Sequence, residues 1–193
     1  MPKIPEIVTY INNTLKAGQF KAGVFQSGRF SGITEPQKYN EDGETVPTVV
    51  NLNGDCTYLG VDDSYPFELY HKIINVDTPT DEADDYGDRL VRTDSYNLQI
   101  VVIANREIVQ LDRTTLVSGV TLGMPRELPK STKTTLGLLT AQVQPGTVTL
   151  DKQTVYSTEY NLQEFLLKPS YVMFAVDYTI TTQVYADCYT ICE

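Results

Sequence analysis

The chain has no tryptophan, one histidine and three cysteines among its 193 residues. Each scarcity removes a class of chemistry. Any histidine-dependent triad would have to use His71, and no G-x-S-x-G turn accompanies it. His71 stands among Tyr70, Ile73 and Ile74 in a strand-like run, where a structural role is expected in place of a general base. Cys56, Cys188 and Cys192 are odd in number, unlike a secreted disulfide framework, so reduced thiols are expected. With His71 they would complete a three-cysteine, one-histidine zinc set. The C-x-x-x-C spacing of Cys188 and Cys192 is looser than a zinc knuckle, however, and the other two ligands are isolated. No metal and no cofactor are expected. No apolar run reaches the ~18 residues of a membrane-crossing helix. Glu6, Thr9 and Asn12 interrupt what would be a signal-peptide core, so synthesis in a cytoplasm is expected.

Positive charge is also scarce. Fifteen Lys and Arg stand against 25 Asp and Glu, a formal net charge of −10. Sequence-specific DNA binding gains affinity from phosphate neutralisation, and this chain is a poor candidate for it. Acidity does not prevent a protein from lining a path along which DNA slides. Much of the excess lies in DTPTDEADDYGD, Asp77 to Asp88. It lacks the D-x-[DN]-x-[DN]-G order of a calcium loop and reads as a solvated, mobile loop. Carboxylates are abundant enough for a glycosidase pair, but nothing in the sequence singles one out. Gly23 and Gly28 have phosphate-loop spacing. Arg29 and Phe30 stand where the lysine and hydroxyl are needed, so a glycine-punctuated hairpin over Phe20 to Ile33 is expected instead.

What is present is apolar periodicity. The composition is 41% hydrophobic, enough for one cored domain over residues 1–193, with a polar acidic excursion at about 75–93. Ile4, Ile7, Val8, Ile11 and Leu15 repeat at helical spacing, leaving Glu6, Asn12, Asn13 and Lys16 on the other face. Glu35 to Thr45 reads as a loop. Val46 to Leu52 and Cys56 to Val61 read as strands about an Asn53-Gly54 turn. Tyr65 to Ile74 and Thr93 to Ala104 read as strands, the second apolar on both faces at its centre, as an interior strand is. Asp112 is expected to cap a helix carrying Leu116, Val117 and Val120. Ser131 or Thr132 is expected to cap another, carrying Leu136, Leu139 and Val143 and stopping at Pro145-Gly146. Thr147 to Tyr156 reads as a strand, and Tyr160 to Leu167 is ambiguous. In the last apolar run, Val172, Phe174, Val176, Tyr178, Ile180 and Val184 alternate with Tyr171, Met173, Thr179, Thr181, Gln183 and Tyr185. This strand is about twice the usual ~5–6 residues. The fold class expected is α+β: a mixed, mainly antiparallel sheet with an N-terminal helix and one or two helices packed on it.

The order of these pieces carries a resemblance. IPEIVTYINNTL opens the chain, SYNLQIVVIANRE with LDRTTLVSGV forms its middle, and YVMFAVDYTITTQVY closes it. This arrangement resembles the tail-terminator and neck-ring (head–tail connector) proteins of tailed bacteriophages, over about a third of the chain. The resemblance implies a structural virion protein without catalytic residues, forming a homo-oligomeric ring at the head–tail junction. It would meet other neck, portal or tail proteins, and DNA would pass through its lumen. It implies no membrane partner. Tyr171, Met173, Thr179, Thr181, Gln183 and Tyr185 become the subunit-interface candidates, because a long terminal strand suits pairing across subunits. The thirteen tyrosines suit such a surface, each offering an apolar body and a polar tip. The rival readings are a cytoplasmic β-rich ligand or carbohydrate binder and a metal-dependent hydrolase.

Overall fold

The computed structural model describes residues 4–18, 27–34, 36–41, 44–50, 56–57, 64–83, 89–151, 155 and 170–186. The element order is α1 (Ile4–Ala17), β1 (Arg29–Thr34), β2 (Pro36–Glu41), β3 (Glu44–Val50), β4 (Cys56–Thr57), β5 (Phe67–Val76), β6 (Thr80–Ala83) and β7 (Leu90–Asn105), followed by α2 (Arg106–Val109), α3 (Arg113–Gly123), α4 (Lys130–Leu136), β8 (Thr140–Thr149) and β9 (Tyr171–Tyr185). A six-stranded sheet runs β1-β5-β7-β9-β8, with β6 paired to β7 beyond the end of β5. Only β1 and β5 pair in parallel, so the fold is α+β with a mixed, mainly antiparallel sheet.

The two longest strands form its spine. β7 and β9 pair without a register shift from Val91↔Tyr185 to Asn105↔Tyr171. Alternation along both strands sends one set of side chains to each face. Leu98, Ile100, Val102 and Ala104 of β7 share a face with Phe174, Val176, Tyr178 and Ile180 of β9. Ile7, Val8, Ile11 and Leu15 of α1 cover that face with Leu116 and Val120 of α3. Asp112 caps α3 as its position suggests, accepting from the Thr115 amide at 2.8 Å. The opposite face is apolar only at one end, where Tyr70, Val101, Ile103, Val155, Tyr171, Met173 and Ala175 form a second, smaller core.

Several expectations need correction. Asn12 is not on the wet side of α1. It follows Val8 by four residues, one helical turn, and is buried with it. Glu35 to Thr45 is not a loop throughout, because β2 pairs with β3 down to Glu41↔Glu44. That register leaves the two residues Asp42-Gly43 as the connection, a hairpin signal that polar composition obscured. The acidic excursion likewise contains a strand, β6, every residue of which is exposed. α4 begins after Pro129 with no side-chain cap and ends at Gly137, whose φ of 70° suits glycine. Val143, Pro145 and Gly146 lie not in a helix but in β8, where a register shift between Pro145 and Val148 accommodates the proline. Of Phe20 to Ile33, only Arg29–Thr34 is a described strand, and Gly28 lies against the Phe67 ring where a Cβ would sit. The Asn53-Gly54 turn and Tyr160 to Leu167 fall outside the described residues. The strand expected over Thr147 to Tyr156 ends with β8 at Thr149, Val155 being helical with its amide donating to the Asp151 carbonyl at 3.0 Å.

Two substitutions on the core face of β9 test this register. Phe174 is fully buried, and Phe174→Ala is expected to cost roughly 3–5 kcal/mol in urea melts. Thr182 is also fully buried, and its Oγ1 is the buried side-chain polar atom left without a hydrogen bond among the described residues. Thr182→Val keeps the shape and removes the unpaired hydroxyl, so it should stabilise by about 1–2 kcal/mol. A Phe174→Ala variant that melts like the parent would mean the faces of β9 are reversed.

Candidate assembly surface

The sheet presents three places where polar chemistry gathers. The first is buried. His71 is 0% exposed and lies between α1 and β9. Its Nδ1 is 2.7 Å from the Tyr178 hydroxyl and its Nε2 is 2.7 Å from Asn12 Oδ1. Asn12 Nδ2 donates to the Ser31 carbonyl at 3.1 Å, which leaves Oδ1 as acceptor. His71 Nε2–H therefore donates to Asn12, and Nδ1 accepts from Tyr178. The imidazole is neutral and both nitrogens are occupied. Burial lowers the His71 pKa to about 3 and raises that of Tyr178 well above its ordinary value. A base needs a free lone pair facing a substrate, and this ring has none. The histidine is structural. The sequence hides this arrangement because its members lie 59 and 107 residues apart.

The second place is the outer face of the β7–β9 spine, beyond the second core. Here the facing pairs are polar, and successive ones hydrogen-bond. Gln99 Nε2 donates to Asp177 Oδ1 at 2.8 Å, and Thr179 Oγ1 donates to Asn97 Oδ1 at 2.8 Å. Ser95 and Thr181 share a bond of 3.4 Å. Gln183 Nε2 donates to Thr93 at 3.3 Å and accepts from Thr140 at 3.0 Å. Asn97 also donates to Asp77, which ties the start of the acidic segment to this ladder at 3.2 Å. Cross-strand pairs of this kind order a face without closing it to water.

The third place is the distal sheet. β5 is buried from Phe67 to His71 and then emerges, leaving Ile73, Ile74 and Val76 at 38%, 52% and 54% exposure. β6 continues beside β7 with no buried residue, and Leu90 at the start of β7 is exposed. The far half of β5 and β6 thus form an exposed arm along β7, which itself stays paired to β9 and buries Asp94.

The expected interface residues divide along these lines. Thr179, Thr181 and Gln183 stand together on the polar ladder, partly exposed. Tyr185 closes the distal end, with the Arg89 guanidinium 4.9 Å from its ring centre. Tyr171 and Met173 lie on the same side of β9 but in the second core, 6% and 1% exposed, where they also line a cavity with Arg106 and Arg113. Alternation alone cannot separate the covered end of a sheet face from the open end. The described part of Cys56 is its strand position, and Cys188 and Cys192 lie outside the described residues. No group of three or more His, Cys, Asp or Glu side chains placed to hold a metal occurs among the described residues. No helix among them is long and apolar enough to cross a membrane. No known protein family matches the chain, and no curated protein does.

The buried histidine sets a pH dependence. Above pH 6.5 the ring is neutral in both folded and unfolded chains, so its contribution to stability is fully present. Between 6.5 and about 3 the unfolded chain takes up a proton that the folded chain refuses, so stability falls as pH falls. At 1.36 kcal/mol per pH unit, the loss between pH 6.5 and pH 5 is about 2 kcal/mol. His71→Gln removes this term, and its urea-melt stability should decline less over that interval than the parent's. Parallel curves would show that the folded state accepts the proton.

Proposed function

We propose that this protein is a structural subunit that assembles with its own copies into a ring at the head–tail junction of a tailed bacteriophage. One observation carries the assembly part of this reading. β5 runs on past its buried half, so that Ile73, Ile74 and Val76 stand exposed within four residues of one strand, the densest such group among the described residues. The irregularity between Ile73 and Asn75 brings Ile73 and Val76 to the same side of β5, opposite Leu98 and Tyr96, and apolar groups exposed together suit a surface that a neighbour covers. The outer edge of β6 and the polar ladder of β7 and β9 offer backbone and side-chain hydrogen bonds beside it. The chain order of helix, meander, long strand, helices and long strand supports the phage reading. A net charge of −10 suits a wall along which DNA moves without adhering. His71, the sole histidine, is held in the core, which favours a structural role over histidine-dependent catalysis. The virion is the location that follows from this reading.

Light scattering and negative-stain microscopy on the full chain test the proposal, alone and with co-expressed head–tail junction proteins. Rings are expected in at least one setting. Thr179→Lys places a charge on the ladder and should reduce ring formation while leaving the monomer's stability within about 1 kcal/mol. A parent that stays monomeric in both settings overturns the proposal.

A further inference from the structure

The two ends of β7 carry opposite chemistry. At its C-terminal end a cavity of about 450 Å³ is walled by Arg106, Arg113, Thr114, Tyr171 and Val172. Arg113 donates to the Leu150 carbonyl at 3.1 Å, and Arg106 has no ion-pair partner among the described residues. The acidic side chain in the same wall, Asp112, is already engaged. It accepts from the Thr115 amide and hydroxyl at 2.8 and 2.9 Å, and these bonds hold its carboxyl below the ordinary value. Two guanidinium groups against this one ionised carboxylate leave the wall with a net positive charge, in a chain that is strongly anionic. Ile108, two residues after Arg106, and Leu150, whose carbonyl Arg113 meets, are exposed apolar side chains of this end of the molecule.

At the N-terminal end of β7 the arm presents the reverse. Asp81 and Glu82 of β6 are exposed and have no ion-pair partner among the described residues. Asp81 stands opposite Arg92, which is fourteen residues from Arg106 along one strand and into the helix that follows it. At ~3.3 Å per residue the separation is roughly 45 Å. The unbroken β7–β9 ladder keeps these ends apart, so the arm cannot reach the cavity of its own chain.

We infer that the acidic arm of one copy docks in the arginine cavity of the next, Asp81 and Glu82 meeting Arg106 and Arg113. The occupant is a second copy because this chain carries both halves: exposed carboxylates on β6 at one end of β7, unpaired among the described residues, and guanidinium groups in the cavity at the other. Arginine pairs with carboxylates through a planar fork of donors, and a docked neighbour would cover guanidinium groups that are exposed in the lone chain. The contact joins two different patches, so it repeats head to tail and closes into a ring at a suitable rotation. This inference rests on the proposed ring and names the contact that builds it.

Charge reversal on the full-length protein tests it. Arg106→Glu and the double variant Asp81→Lys with Glu82→Lys are measured by light scattering and sedimentation, each with a urea melt to establish that the monomer folds. Each alone is expected to weaken self-association about tenfold or more, increasingly so at low salt. Mixing the two variants should restore assembly, because reversed arm and reversed cavity are again complementary. A parent that forms rings while Arg106→Glu forms them equally well overturns the docking contact and leaves the ring standing. Folded variants that both fail to assemble but are not rescued by mixing also overturn it. A parent that never assembles removes the ring reading and the contact together.

Discussion

The hydrogen-bonded line from Ser31 through Asn12 and His71 to Tyr178 is the constraint on which the remaining packing depends. It joins β1, α1, β5 and β9 through groups that are otherwise surrounded by aliphatic side chains. Hydrophobic burial is indifferent to small slides of a helix over a sheet, because one leucine contact replaces another. Buried polar atoms are not indifferent. A shift of α1 by one residue would leave an imidazole nitrogen and an amide unpaired in a medium where each costs about 1–3 kcal/mol. The Thr34 hydroxyl adds a further tie, donating to the His71 carbonyl at 3.0 Å. The apolar face supplies the stability of the chain, and the polar line sets the position of α1 upon it.

With α1 so placed, helices cover one part of the spine and leave the rest open. The outer face changes along its length from Tyr70, Val101, Met173 and Ala175 to the ladder of Gln99, Asp177, Asn97 and Thr179. The same two strands thus hold a core at one end and a wet, ordered surface at the other. β5 repeats the change within ten residues, buried to His71 and exposed from Ile73. The continuous backbone ladder carries the rigidity of the cored half into the exposed half.

Much of this was legible in sequence because it rests on period. Alternation in Tyr171–Tyr185 marked the core face of β9, and the stripe from Ile4 to Leu15 marked α1. Legibility failed where meaning depended on distant partners. Asn12 is polar, and only His71, 59 residues away, explains its burial. Tyr171 and Thr181 share a side of β9, and whether that side is covered depends on what lies over it. The arginine cavity unites a strand end, a helix start and another strand end, so no local pattern announces it. Asp42-Gly43 and Pro145 failed for another reason. Their local signals were present, but overall polarity in one segment and a helix-like spacing in the other outweighed them.

The position of β9 between β7 and β8 also governs the order in which the sheet is made. β7 and β8 both precede it in the chain, and each bonds to it along an edge. During translation those edges emerge bare and wait for the strand that will fill the gap. An unpaired strand edge is a template for any other extended chain, including an identical one on a neighbouring ribosome. Closing the sheet is thus a late event, made of contacts between residues far apart in sequence, and late non-local closure is slow. A nascent chain remains vulnerable to the wrong partner until translation reaches Tyr185, and the span from Leu90 to that residue is the period of its exposure.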